Sequence, residues 1–200
     1  MTLRALATVC LVVALSVLTG CASATEPHVV ASPTPIARLN TAAMSLPRMD
    51  FCSLVPTSAV SAVLGGHRTG SSTWRNGQRA DVTGSGADVV AEHGCSWTGP
   101  AGSRARAWVF ARPVNRGLAR LVVREAGSEK GCRAVHGPRF GDPTMTQRCR
   151  VGGAVRVRHA GLFGSTWLSC ELQASGPVAA VRHRADAWCV TVANVLNTSR

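Results

Sequence analysis

Apolar and polar residues alternate along four stretches of this chain, and alternation with a period of two predicts β-strands. The four stretches are 88–97, 104–112, 150–158 and 167–173. In the second stretch Ala105, Ala107 and Val109 share one face, which we expect to lie against a core. The segment 161–164 contains two glycines and predicts a hairpin turn between the last two strands.

Three further stretches place apolar residues three and four positions apart, which predicts helices. They cover 51–65, 115–126 and a final helix that follows Gly176-Pro177. Two segments rich in glycine or proline, 65–86 and 133–147, predict surface loops. This order of elements predicts an α+β fold, in which an antiparallel sheet carries an N-terminal and a C-terminal helix packed on it.

The first twenty residues predict a signal peptide, because Arg4 precedes an apolar run that is too short for a permanent membrane-spanning helix. The run ends in Leu18-Thr-Gly-Cys21, which resembles a bacterial lipobox. We therefore expect a lipoprotein in which Cys21 carries acyl chains such as palmitate, and two or more chains anchor a protein stably. An ordinary secretory signal cleaved near Ala22-Ser-Ala24 is the alternative.

The residues after Cys21 are rich in proline, serine, threonine and alanine, which favours an extended backbone. The predicted organisation is a signal peptide over 1–20, a flexible tether over 21–48 and one disulfide-containing α+β domain over 49–200. We expect this domain to face outward from the cell membrane, anchored through its lipid.

Six cysteines remain once Cys21 and the signal peptide are set aside, and an even number in an exported domain predicts three disulfides. Six cysteines allow fifteen pairings. The predicted elements favour the sequential set, which is Cys52–Cys95, Cys132–Cys149 and Cys170–Cys189. No CxxC, HxH or HExxH spacing occurs, so no metal site is predicted.

The chain carries 22 Lys+Arg residues against 10 Asp+Glu, a formal net charge of +12. Several arginines alternate along the predicted strands, and on one strand they lie beside two aromatic rings. The positions are Arg104, Arg106, Trp108 and Phe110 on one strand, and Arg150, Arg156 and Arg158 on another. We expect the first four to contact an anionic ligand with an apolar part, such as an anionic lipid or envelope polymer. The alternatives are a solvated face, or a helix that covers Trp108 and Phe110.

No catalytic, cofactor-binding or metal-binding residue is predicted. Histidines and aspartates for a hydrolytic triad exist, but no Gly-x-Ser-x-Gly elbow accompanies them. The histidines are His93, His136, His159 and His183, and the aspartates are Asp88, Asp142 and Asp186. The acidic residues are spread singly along the chain, which is unlike the paired carboxylates of a glycosidase. Nucleic acid is not an expected partner because the predicted domain faces outward.

Three landmarks occur in a characteristic order: Cys52-Ser-Leu-Val, Cys95-Ser-Trp and a late cysteine pair before the C-terminal helix. Together with the lipobox, this set resembles small actinobacterial lipoproteins that share a domain of unknown function. The resemblance covers most of 50–200 and implies an envelope lipoprotein without an established activity. Two features depart from that pattern: the first helix lacks acidic residues in its first turn, and the pair Cys132 and Cys149 is additional.

The sequence therefore predicts a lipid-anchored envelope protein that binds or scaffolds and is not an enzyme. The predicted partners are the membrane, through Cys21, and an anionic lipid or envelope polymer, while a protein partner is not specified. An envelope hydrolase or another enzyme is the alternative, and an apolar cleft with converging histidine and carboxylate groups would favour it.

Overall fold

The computed structural model describes residues 34–82 and 86–199, which form three α-helices and nine strands. The helices are α1 Thr57–Leu64, α2 Arg116–Gly127 and α3 Val178–Thr198. The strands are β1 Gly70–Trp74, β2 Arg79–Ala80, β3 Asp88–Val89, β4 Glu92–Thr98, β5 Arg104–Phe110, β6 Cys132–Ala134, β7 Thr144–Val151, β8 Ala154–Phe163 and β9 Thr166–Ala174. The predicted α+β class is confirmed.

Seven strands form one antiparallel sheet in the order β1-β4-β5-β9-β8-β7-β6, and β2 and β3 form a small separate ladder. The centre of the sheet is β9, which pairs with β5 on one side and with β8 on the other. In this register Ala107 lies opposite Cys170, which lies opposite His159. Side chains in such a cross-strand row share a face of the sheet, so the register decides which residues meet.

One face of the sheet packs against α1 and α3 and forms the main core. Ala105, Ala107 and Val109 of β5 are fully buried there, as their alternation predicts. The small side chains allow α3 to approach closely, and the indole Nε1 of Trp188 donates a hydrogen bond of 3.0 Å to the backbone oxygen of Arg106. The Trp188 ring also packs edge-on against Trp97, with ring centroids 5.2 Å apart.

The opposite face of the sheet is partly covered by α2, which forms a second apolar cluster. Ala119 of α2 is buried in this cluster, and Val122 and Val123 pack against it together with Phe110 of β5. The helix begins after Asn115, whose side-chain oxygen accepts a hydrogen bond of 2.9 Å from the backbone N–H of Leu118 and caps the first turn. Beside α2, Val82 approaches this face and its backbone oxygen accepts a hydrogen bond from Arg106.

The predicted tether over 21–48 is too long. Residues from 34 onward pack on the domain, because Ile36, Met44 and Leu46 are buried and belong to the main core. Ile36 lies in a short 3-10 turn at Ile36–Arg38, and Met44 and Leu46 follow a second turn at Thr41–Ala43. Their spacing follows no helix or strand period, so the sequence pattern did not reveal them. The predicted signal peptide, Cys21 and the predicted tether up to residue 33 lie outside the described residues.

Two predicted loops contain strands. The segment 65–86 holds β1 and β2, and 133–147 holds the end of β6 and the start of β7. The predicted strand over 150–158 is in fact two strands, since Gly152 and Gly153 turn the chain between β7 and β8. Likewise, β8 continues to Phe163, within the segment 161–164 that was predicted as the turn. The first helix starts later than predicted, because a 3-10 turn at Cys52–Leu54 precedes α1.

The three disulfides have the predicted sequential pairing, Cys52–Cys95, Cys132–Cys149 and Cys170–Cys189. The first bond ties the segment before α1 to β4, and the third ties β9 to α3 within the core. The second bond joins directly opposite residues of β6 and β7 at one edge of the sheet.

Candidate functional site

The four residues predicted to bind a ligand share the face of β5 that points away from α3. Arg104 is exposed, whereas Arg106, Trp108 and Phe110 are half-buried. Phe110 packs against the α2 cluster, while Trp108 lies where the helix leaves the sheet open. The structure thus combines two of the expected arrangements: α2 covers one of the two aromatic rings and leaves the other at the edge of a cleft.

A buried glutamate lies between two of the arginines. In the sheet register Arg106 of β5, Glu171 of β9 and Arg158 of β8 lie side by side. The Nε atoms of Arg106 and Arg158 each donate a hydrogen bond of 2.7 Å to Glu171, one to each carboxylate oxygen. Glu171 is only 2% exposed. Burial alone raises the pKa of this carboxyl, but the charges of Arg158, Arg106 and Arg156 outweigh burial and lower the pKa to about 2.

A second glutamate, Glu129, extends this network to the edge of the sheet. It follows α2 and accepts a hydrogen bond from Arg156, and its other carboxylate oxygen lies 3.5 Å from Arg158. Burial raises the pKa of Glu129, yet the hydrogen bond from Arg156 and the charge of Arg158 lower it overall. The same Arg156 nitrogen lies 3.3 Å from the sulfur of Cys132 and 3.1 Å from that of Cys149.

Glu129 and the two sulfurs lie within 4.8 Å of one another, a grouping with the elements of a metal site. Here the sulfurs are bonded to each other, and thiolates rather than disulfides are metal ligands. Moreover, the guanidinium of Arg156 contacts all three groups and supplies the positive charge. This corner of the sheet is therefore better described as an arginine site than as a metal site.

A third glutamate, Glu92 at the start of β4, lies on the other side of Trp108. Its Oε1 accepts a hydrogen bond of 2.9 Å from the indole Nε1 of Trp74. Burial raises the pKa of Glu92 despite this hydrogen bond and the nearby charges of Arg106 and Arg158. Gly94 makes the arrangement possible, because a Cβ there would lie 2.4 Å from the Trp74 ring.

Trp108 is held in place by its charged neighbours. The guanidinium carbons of Arg106 and Arg158 lie 5.6 Å and 5.3 Å from the centroid of its ring, within the range of cation–π contacts. Since both arginines are also bound to Glu171, the ring is supported by groups that are themselves fixed. A ligand that enters here meets a preformed aromatic wall.

Two adjoining cavities open on either side of Trp108, and we call them together the Trp108 cleft. The first, of about 340 Å³, has the charged walls of Glu92, Arg106, Glu129 and Arg158. The second, of about 460 Å³, has mainly apolar walls between the sheet and α2. Its apolar lining comprises Phe110, Leu118, Leu121, Val122, Ala126, Met145 and Trp167. Trp108, Glu92 and Arg158 line both cavities.

The ion pairs change the expected chemistry of the basic face. Arg106 was predicted to contact an anion, but it is paired with Glu171 and mostly buried, and so are its neighbours Arg156 and Arg158 with their glutamates. Sequence analysis missed Glu92, Glu129 and Glu171 because they are far apart along the chain. The alternation of β9 already placed Glu171 on the polar face, but only the strand register brings it next to the two arginines.

One histidine–carboxylate pair occurs on the other face of the sheet. Nε2 of His159 lies 2.7 Å from Oδ1 of Asp186, and its Nδ1 lies 3.0 Å from the hydroxyl of Thr146. The sequence of contacts Asp186–His159–Thr146 resembles a hydrolytic triad, but His159 is fully buried. Gly137 also covers the hydroxyl of Thr146, because a Cβ on Gly137 would lie 2.0 Å from that oxygen. The hydroxyl is therefore closed to a substrate. A cavity of about 440 Å³ borders Asp186, with His136, His183 and residues 34–37 in its walls.

The comparisons with known proteins add no relative. No family model matches this chain, and no curated protein matches it either. Over 34–82 and 86–199, none of the helices combines the length and the apolar character that are needed to cross a bilayer.

Proposed function

We propose that this protein is a lipid-anchored cell-envelope protein that binds an amphipathic ligand in the Trp108 cleft. The lipobox at Leu18–Cys21 supports the anchor. The three disulfides support an oxidising location, because such bonds persist mainly in exported proteins. The resemblance to small actinobacterial envelope lipoproteins agrees with both.

The observation that carries the binding role is the junction of an apolar cavity and a charged cavity at one tryptophan. Binding sites for small molecules are typically concave, largely apolar and furnished with a few placed polar groups, with volumes of roughly 300–1,000 Å³. The apolar half of about 460 Å³ and its neighbour of about 340 Å³ match this description. The walls are rigid, since one belongs to a disulfide-bonded sheet and the other to α2.

Several arginines that do not line the cleft are open to solvent. Arg104 on β5 is exposed, and so are Arg120 and Arg124 on α2. Such groups suit an anionic membrane surface or envelope polymer, where each adds about 1 kcal/mol in a manner that fades with salt. We assign the anionic partner expected from the sequence to these exposed arginines, and the amphipathic ligand to the cleft.

The test is a titration of the full chain carrying Cys21→Ala with N-phenyl-1-naphthylamine, an uncharged dye that fluoresces in apolar cavities. Leu121, which is 47% exposed, lines the apolar cavity, and Leu121→Asp should weaken dye binding about tenfold because it removes the burial of one leucine. Val151→Asp is the matched control, because Val151 is 37% exposed and is not part of the cleft lining. Equal dye affinity in both variants, or no dye binding at all, would overturn the proposal.

A further inference from the structure

The Trp108 cleft is slightly negative, whereas the chain as a whole is strongly positive. The chain has a net charge of +12 and only ten acidic residues. Four of these surround or underlie the cleft, namely Glu92, Glu125, Glu129 and Glu171. They meet three arginines, Arg106, Arg156 and Arg158, so the cleft holds one more negative than positive charge. A strongly basic protein thus presents a binding cleft without excess positive charge.

The arginines of the cleft already form ion pairs with Glu171 and Glu129. An anionic head group could bind Arg106 or Arg158 only by competing with Glu171, which is 2% exposed. Displacing that carboxylate would leave a buried charge without its partners, which is strongly unfavourable. An anionic head group would also approach the carboxylate of Glu92. Both effects disfavour an anion inside the cleft.

Glu92 is differently placed, because it borders both cavities and its arginine neighbours are not hydrogen-bonded to it. It receives a single neutral hydrogen bond, from Trp74 at 2.9 Å. An ammonium group at the junction could therefore donate to this carboxylate without breaking any ion pair of the network. From the same point the apolar cavity leads away along Phe110 and Leu121, which gives a path for an alkyl chain.

We infer that the Trp108 cleft selects an amphiphile whose head group is an ammonium, with Glu92 as the carboxylate that receives this group and the α2 side of the cleft as the site of its apolar chain. This inference rests on the proposed binding function and names the chemical class of its ligand. The open carboxylate of Glu92 carries it, together with the three lining residues that the charged and the apolar cavity share.

The experiment compares three amphiphiles of one chain length: dodecylamine, 1-dodecanol and dodecanoic acid. Each displaces N-phenyl-1-naphthylamine from the full chain carrying Cys21→Ala, below the concentration at which it forms micelles. Dodecylamine should compete at concentrations about tenfold or more below those of the other two, as expected for one charge-assisted hydrogen bond. Overall electrostatics cannot produce this order, because a chain of net charge +12 attracts the carboxylate instead.

Glu92→Gln is the decisive variant, since the amide oxygen can still accept from Trp74 while the charge is lost. It should remove the preference for dodecylamine over 1-dodecanol, with each displacement referred to the dye affinity of the same variant. Asp142→Asn is the matched control: it removes one negative charge from an exposed pair with Arg116, outside the cleft, and should retain the preference. Near-ultraviolet circular dichroism verifies that both variants are folded.

The possible results distinguish the ammonium preference from ligand binding in the cleft, on which that preference depends. Dye binding without preference, or equal competition by dodecanoic acid, overturns the ammonium assignment and leaves the binding function standing. Persistence of the preference in Glu92→Gln overturns the role of Glu92. Absence of dye binding removes both proposals together.

Discussion

Glu171 shows how a charge is kept inside this protein. Its carboxylate is buried between β5 and β8 and is bound by two guanidinium groups, so the pKa falls to about 2 from an ordinary value of 4.5. A carboxyl with a lowered pKa contributes stability that is fully present above its unfolded pKa and is lost as the pH falls through its folded pKa. The free energy of unfolding should therefore fall as the pH is lowered from 4.5 towards 2.

We expect Glu171→Gln to lower the free energy of unfolding at neutral pH by about 3–5 kcal/mol, because it leaves Arg106 without a carboxylate and Arg158 with Glu129 alone. Urea unfolding measures the change. Glu125→Gln is the control: Glu125 is exposed on α2, and its loss should cost less than about 0.5 kcal/mol. Equal stability of the two variants would show that the network does not support the fold.

The acid dependence gives a second prediction for the same residue. Between pH 4.5 and about 2 the unmodified chain should lose about 3 kcal/mol of stability on account of Glu171. Glu171→Gln has no carboxyl at this position, so its stability should change less over this interval. Unfolding by urea at a series of pH values tests this, and parallel curves for the two proteins would contradict it.

Gly161 on β8 lies directly under the loop that precedes β7. A Cβ at this position would lie 1.5 Å from the backbone oxygen of Phe140, whereas a Cβ on Gly127, the last residue of α2, would meet nothing within 4 Å. We expect Gly161→Ala to destabilise the protein by about 3 kcal/mol or more through overpacking. Gly127→Ala should be neutral or slightly stabilising because alanine favours helix. The melting temperatures of the two variants measure the difference, and equal values would contradict the close approach.

At the level of elements, the sequence predicted the helices and strands whose own residues show a clear apolar period. The face of β5 with Ala105, Ala107 and Val109, the helix α3 and the disulfide partners are all as expected. By contrast, β1 has the sequence Gly-Ser-Ser-Thr-Trp, in which only Trp74 is buried. It is a strand because β4 offers an edge with which to pair. Such tertiary causes leave no periodic signal in the local sequence.

The candidate site shows the same limit. Alternation was sufficient to place Arg106 and Trp108 on one face of β5, because that depends on one strand alone. The pairing with Glu171 depends on the register of β5 against β9, and the contact of Trp74 with Glu92 depends on β1, which was not predicted. The sequence therefore identified the basic members of the site and missed the acidic members that neutralise them.

The edge strand β6 makes one disulfide more accessible to reduction than the others. Cys132 lies on a three-residue strand at the end of the sheet, which should open locally. Arg156 contacts both sulfurs and would stabilise the thiolates that reduction releases. Cys170 and Cys189, in contrast, are both fully buried.

We therefore expect graded dithiothreitol to reduce Cys132–Cys149 first and Cys170–Cys189 last. Alkylation followed by peptide mass spectrometry gives the order. In Arg156→Gln the first step should require more reductant, because the guanidinium is lost. Simultaneous reduction of all three bonds would contradict this ranking.

For the molecule as a whole, the proposed lipid on Cys21 predicts attachment to the membrane. Cys21→Ala should prevent acyl labelling and release the protein from membranes, because the remaining electrostatic attraction is weak in salt. Fractionation of cells with a high-salt wash, compared with the unsubstituted chain, measures this. Retention of the Cys21→Ala protein in the washed membrane fraction would contradict the lipid anchor.

The central position of β9 governs the order in which the chain can fold. β9 forms a local hairpin with β8 and is tied by a disulfide to the α3 that follows it, whereas β5 is a much earlier part of the chain. During synthesis from the N-terminus, β1, β4 and β5 therefore wait with an open edge and an uncovered apolar face until β9 and α3 appear. A nascent chain that stops before β9 has two separate groups of three strands, β1-β4-β5 and β8-β7-β6, and no helix α3 to cover them. Cys52 and Cys95 must then pair without a completed core.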